Sequence, residues 1–327
     1  MLCQRDDEKP GFVMSTLVTD SLRKSNTSLL WSVISSRYHP DRAWRSRPFC
    51  LKFILRCCCY PRISYRYLRA LTGLDMFPGL LARQGLLPAK IHRPYLSAGL
   101  GVQQRAEAIV SHYQLLAGLV NPQLQQILGQ PTGRPLLQWH SSEGQAFTLS
   151  CGPARFDREG EVMLCLSYQQ QVVATITFAL IRQAEKSVLF IGGLQGPGPE
   201  VPAEIIRQAT RAAYGIFPKR LLMDVIFWLA AAGNIDAIQA VSENSHVFRS
   251  LRYRYSKQDK FFASYSEFWE SLGGRPNLRG NYDLPLQVIR KPLEEVVSKK
   301  RAEYRRRYQL LAQLQQQFND ALGITGK

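Results

Sequence analysis

One segment, KSVLFIGGLQGPGPEVPAEIIRQATRAAYGIFPKRLLMDVIFWLAAAGNIDAIQAVSENSHVF at residues 186–248, restricts the fold more than any other. An apolar run breaks on Gly192 and Gly193. Two helix-period stretches follow, and a second apolar run, Asp236 to Ser242, ends in a polar cluster. This is one βαβ-like unit. Pro202 opens the first helix at a position where a missing N–H costs nothing, and Gly215 stops it. After Pro218, a second helix over Lys219 to Ala232 ends at Gly233. The unusual residues gather where the strands end, which is where ligands bind in an open α/β sheet.

Upstream the hydrophobic period is two. Leu136 to Cys151 reads as a strand, a turn at Glu143-Gly144 and a strand. Glu161 to Gly196 reads as three more, with turns near Gln169–Gln171 and Gln183–Lys186. Short connections make these strands antiparallel neighbours. Phe49 to Leu87 suggests short helices interrupted by Pro61. Gln103 to Val120 is a cleaner helix, with Ala106, Ile109, Tyr113, Leu116 and Val120 on one face. Glu294 to Leu322 reads as a long helix with an apolar stripe of Val297, Tyr304, Tyr308, Leu311, Leu314 and Phe318 opposite a basic face.

The expected class is α+β: a mixed, mainly antiparallel sheet with an N-terminal helical region and a long basic C-terminal helix. The expected divisions are a disordered basic segment over 1–48, a helical region over 49–135, the sheet core over 136–290 and the final helix over 291–327.

A net charge of +17 favours anionic partners. It is unevenly spread. Ser21 to Arg69 holds eleven Lys or Arg and one acid, Asp41. Further clusters lie at Arg249–Lys260 and Ser298–Tyr308. Each is either a solvated face or a contact for lipid, nucleic acid or a phosphate-bearing ligand. The alternating Arg and Tyr of RYRYSKQDK have the pattern of a half-exposed strand, which places nucleic acid behind lipid or an acyl carrier as partner.

Seven cysteines include the adjacent Cys57, Cys58 and Cys59, which cannot readily share one metal, and there is no CxxC pair. Reduced thiols are expected, with Cys151 and Cys165 in the core, and no metal. Asp6, Asp7 and Glu8 replace the apolar core of a secretory signal, and Met14 opens an alternative start. Leu221 to Gly233 falls short of the roughly 20 residues a membrane-spanning helix needs, and it carries Asp224. The expectation is a cytoplasmic protein, peripheral to a membrane at most.

Candidate site residues cluster at the two strand ends. Gly192, Gly193, Gln195, Gly196 and Gly198 form a glycine-rich edge that either approaches a ligand or marks a bulge. His246 can act as a general base with Glu243 or another nearby carboxylate, or be a buried structural histidine. Asn244 and Ser245 can serve chemistry or cap a following turn. His140 with Glu143 forms a second acid/base pair, explained equally by a hairpin turn. No GxSxG, P-loop or HExxH motif is present.

FIGGLQG, TRAAYGIFPK, IQAVSENSHVF, FFASYSEFWESLGG and KKRAEYRRRY, in that order, resemble the VirK/YbjX family of bacterial proteins over about Phe49 to Phe318. That resemblance implies a Gram-negative protein tied to virulence, the cell envelope and resistance to antimicrobial peptides. It supplies no catalytic residues.

A second resemblance is to the GNAT acyltransferase fold. It rests on the meander Leu164–Leu194, a helix from near Pro202, and the strand Ile238–Ser242 followed by Asn244. It implies acyl transfer from acyl-CoA or an acyl-carrier protein to an envelope component. The chain departs from that pattern at Gln195-Gly196-Pro197-Gly198-Pro199, where prolines remove N–H donors a phosphate would need. The alternative is a non-enzymatic protein that recruits anionic lipid or RNA through Lys299, Lys300, Arg301, Arg305, Arg306 and Arg307.

Overall fold

The computed structural model describes residues 23, 25–249, 265–288 and 290–324. The chain divides into two compact units at His92/Arg93.

The first unit is helical. Residues 25–34 form α1, so part of the segment expected to lack structure is folded; residues 1–22 and 24 lie outside the described set. Then come α2 (Arg47–Cys59), α3 (Pro61–Thr72) and α4 (Phe77–Arg83). Pro61 does break α2 from α3, but it also starts α3, where its fixed φ suits a first turn. Leu30 and Val33 of α1 are buried, and Asn26 Nδ2 donates to the carbonyls of Thr72 (3.1 Å) and Leu74 (3.2 Å) that end α3. These contacts explain why a basic, proline-containing stretch folds: it supplies both core side chains and a C-terminal cap. Trp44 is the centre of the unit. Its indole N–H donates to the Gly85 carbonyl at 2.6 Å, and its ring meets Phe49 and Phe53 edge-on.

The second unit holds α5 (Val102–Ala117), α6 (Pro122–Leu128) and five consecutive strands. These are β1 (Arg134–His140), β2 (Ala146–Pro153), β3 (Val162–Tyr168), β4 (Gln171–Gln183) and β5 (Lys186–Gln195). All four hairpin pairings are antiparallel, as the period-two pattern requires. The helices α7 (Ala203–Ala212) and α8 (Pro218–Ala232) lead to β6 (Ala237–Val241), which lies parallel to β5. β6 does not close the sheet. After α9 (Ser266–Ser271), β7 (Arg275–Pro276) and β8 (Asn281–Leu284) extend it in the order β1-β2-β3-β4-β5-β6-β8-β7. The basic helix is α10 (Ser298–Ala321).

Several boundaries moved for local reasons. Pro202 caps α7 rather than opening it. The helix stops at Ala212 because Tyr214 and Gly215 both take positive φ, 53° and 78°. Gly118 ends α5, so Val120 misses its expected buried face and is 89% exposed. Glu294 and Glu295 sit in a separate 3-10 turn ahead of α10, and Val297 is an exposed cap. Leu311, Leu314 and Phe318 of the stripe are buried.

α5 completes β4. β3 ends opposite Phe178, leaving the N–H groups of Leu180 and Arg182 without a strand partner. His112 Nδ1 accepts the first (3.1 Å) and Ser111 Oγ the second (3.2 Å). Among the described residues no helix is long and apolar enough to cross a membrane. The Arg249–Lys260 cluster, with its expected strand, lies almost wholly outside the described residues.

Candidate functional site

β5 is flanked by unlike neighbours, and that difference makes the site. It pairs with β4 to its last residue, Thr175 against Gln195. It pairs with β6 only as far as Ile191. The final four residues of β5 therefore leave β6. The pairing with β4 slips between Thr177 and Phe178, which puts Gly192 in a β-bulge.

The bulge is occupied by Glu159, from the loop between β2 and β3. A Cβ on Gly192 would collide with the Glu159 carbonyl, and one on Gly193 with its carboxylate. The paired glycines are thus required by close approach of another segment of this chain, not by an open ligand cradle.

Glu159 and His246 are each 1% exposed. Gln195 Nε2 donates to both Glu159 oxygens, at 2.9 and 3.0 Å, and His246 Nε2 stands 3.3 Å from Oε1. His246 Nδ1 accepts from the Phe248 N–H at 3.3 Å. Tyr265 packs on the imidazole, and its hydroxyl accepts the Leu194 N–H released by the departure of β6, at 3.2 Å. Burial first, and the Glu159 charge second, push the Tyr265 phenol well above its ordinary range.

Gln195 and His246 do share one place, but it is closed. Their common partner is Glu159, which no local motif marks. The other expected residues lie elsewhere. Asn244 is exposed. Its neighbours Ser242 and Ser245 bond each other's backbone and side chains (Ser242 N–H to Ser245 Oγ, 2.8 Å), which folds the turn after β6. Glu243 accepts from the N–H and hydroxyl of Ser266 at 2.7 and 2.6 Å. Burial opposes its charge, but these bonds hold its carboxyl below the usual range. Glu143 is exposed at the β1–β2 turn, held by Gln145 Nε2 at 2.8 Å, with His140 exposed at the end of β1. A second closed carboxylate, Glu161, accepts from Tyr95 (2.8 Å) and Tyr113 (2.7 Å).

The open site lies just past this cluster. A cavity of about 870 Å³ begins at Gly196 and Pro197 and is walled by the α7–α8 turn, the first turns of α8, α9 and one face of α10. That volume falls within the usual range for small-molecule pockets. Val173, Ile206, Ile216, Phe217, Phe268 and Leu311 supply apolar surface; Lys219, Arg220, Arg290, Lys291 and Arg307 supply cations. Tyr304 and Tyr308, expected in the apolar stripe, line it too. Arg307 stacks over Tyr304 at 4.3 Å while donating to the Tyr214 carbonyl at 3.0 Å.

Asp224 is the one carboxylate among the lining residues, 5% exposed, with Arg290 Nη2 at 3.7 Å. Burial raises its carboxyl to about 6 against the opposing pull of Arg290 and Arg220. Burial also lowers the Lys219 ammonium. Asp224 had a sequence signal: it is the lone acid in the apolar run of α8, and such a group needs a reason to be buried.

The fold and site define an α+β protein with a ligand-sized cavity at the carboxyl end of a parallel strand pair. The chain belongs to the family described as "Protein of unknown function (DUF535)", whose model matches residues 42–320. It is 38% identical over 302 residues to the Escherichia coli (strain K12) protein named "Uncharacterized protein YbjX", covering 92% of this chain and 91% of that one. It is also 35% identical over 127 residues to an uncharacterized protein of Haemophilus influenzae, covering 38% of this chain and 41% of the relative. No solved structure matches it. The family resemblance drawn from FIGGLQG and its companion motifs is therefore correct.

Proposed function

We propose that the cavity binds an acyl thioester on a phosphate-bearing carrier, acyl-CoA or acyl-carrier protein, and passes the acyl group to a cell-envelope component. The observation that carries this reading is the cavity itself: lined by both apolar and cationic side chains, and set where β5 leaves β6. A ligand there needs an apolar part and an anionic part.

The prolines at 197, 199 and 202 remove backbone donors from the loop after β5, so side chains take their place. Lys219, Arg220, Arg290 and Lys291 meet phosphate, and the aliphatic and aromatic lining takes the acyl chain and pantetheine arm. Asp224 accepts the proton of the attacking hydroxyl or amine. The thioester C–S bond breaks, a C–O or C–N bond forms, and the carrier leaves as its thiol. A carboxyl raised to about 6 is a better base than an ordinary Asp and is still ionised at neutral pH. His246 and Gln195 act on this site only by holding the end of β5 through Glu159. The envelope assignment rests on the VirK/YbjX resemblance.

Calorimetric titration with CoA, a long-chain acyl-CoA and acyl-carrier protein tests the binding. Saturable binding that falls about tenfold or more in Lys219→Gln/Arg290→Gln is expected. No binding of any of the three overturns the reading. Binding without thiol release, in the presence of envelope lipid precursors, reduces it to carriage of an anionic amphipathic ligand.

A further inference from the structure

The helical unit carries a surface the cavity does not explain. α2, RPFCLKFILRCCC, is apolar on two faces. One face is the core side: Phe53 is buried against Trp44 (5.2 Å), Cys50 Sγ reaches the Trp44 carbonyl (3.3 Å), and Cys57 Sγ approaches His92 Nε2 (3.6 Å). The opposite face turns Leu51, Ile54, Leu55 and Cys58 outward, at the one-, three- and four-residue steps of a single helical stripe. Leu51 is 59% exposed, Ile54 44% and Leu55 55%. An exposed aliphatic stripe beside a buried face calls for a partner.

The surrounding charge says which partner. Arg47 and Lys52 are exposed on the same helix and Arg56 is half-exposed. On α3, Arg62, Arg66 and Arg69 are exposed. Neither helix contains an acid. A second copy would set cations against cations. RNA would find phosphate contacts but no use for an aliphatic stripe, since bases stack on aromatic rings. An anionic bilayer satisfies both halves at once, with the aliphatic side chains entering the acyl boundary and the flanking cations at the headgroups.

We propose that α2 is an interfacial helix that docks this protein, in-plane and reversibly, on an anionic lipid surface through Leu51, Ile54, Leu55 and Cys58. The inference is independent of what fills the cavity.

The test is co-sedimentation of the full chain with vesicles of phosphatidylcholine alone and of phosphatidylcholine with phosphatidylglycerol. Binding is expected to the anionic vesicles and to weaken with salt. Leu51→Gln/Ile54→Gln/Leu55→Gln is expected to lower partitioning about tenfold or more with an unchanged melting temperature, because the three side chains lie on the surface. Arg47→Gln/Lys52→Gln/Arg56→Gln should give a loss of similar size and a shallower salt dependence. Three results overturn the proposal. One is absence of binding to anionic vesicles. Another is full binding by the stripe variant, which would assign adhesion to cations elsewhere, such as those of α10. The third is a wild-type dimer, seen by light scattering, that the stripe variant dissolves, which would make a second copy the occupant.

Discussion

Of the acids buried in the sheet-bearing unit, Glu159 and Asp224 are treated in opposite ways. Glu159 is enclosed, with both oxygens bonded by Gln195 and His246 Nε2 3.3 Å from one of them. Asp224 faces a cavity, with Arg290 Nη2 at 3.7 Å and the Arg220 charge acting on it as well. A satisfied buried acid is part of the framework. One that faces a cavity can exchange its surroundings when something enters beside it. Closed chemistry and open chemistry thus sit on either side of the end of β5. Residue type alone would have ranked them the other way, since the histidine belongs to the closed one.

The largest expected effect comes from filling the bulge. Gly193→Ala drives a methyl into the Glu159 carboxylate, and Gly192→Ala into its backbone. Either should cost about 3–5 kcal/mol and lower the melting temperature by roughly 10 °C. A variant that melts like the wild type would show that Glu159 is not held there.

Next is Asp224. Its folded-state value of about 6 lies above the ordinary 3.8, so the folded protein holds this proton more tightly than the unfolded chain does. The resulting contribution to stability is full below about pH 4 and is lost as pH rises to about 6, on the order of 3 kcal/mol in all. Chemical denaturation across that window should show wild-type stability falling relative to Asp224→Asn. A constant difference between the two curves would mean that Asp224 titrates normally. Glu159→Gln is expected to cost less, about 1–3 kcal/mol, and to leave ligand affinity intact, since the amide keeps part of the network. A large loss of ligand binding without loss of stability would instead join the closed cluster to the chemistry. The smallest stability effect belongs to Lys219→Gln, within about 0.5 kcal/mol, although its ligand affinity should fall about tenfold alongside Arg290→Gln.

Much of the fold was legible because its signals are local. Alternation over Leu136–Cys151 and Glu161–Gly196 set five strands and their turns, and Pro218 and Gly233 bounded α8 almost to the residue. The added edge was not legible: β8 is only Asn281–Leu284, and its pairing with β6 depends on where the chain returns. α1 was missed because its composition suggested no core, yet Leu30 and Val33 fill space that the later helices leave. At the site, the sequence left bulge and ligand readings of Gly192 and Gly193 open, and the structure places a bulge there. Their occupant lies more than thirty residues earlier in RFDREGEV, in a stretch with no period and no motif.

The sequence by itself determined the family, the α+β class, the order of the strands through β6, and the concentration of positive charge, since periodicity, punctuation and composition are properties of neighbours along the chain. Only the tertiary structure decided that Glu159 rather than Glu243 meets His246, that Asp224 lines a cavity with Arg290, and that one apolar face of α2 is exposed. Each of these depends on which distant segments come within a few ångströms, and burial and hydrogen-bond satisfaction are settled at that distance.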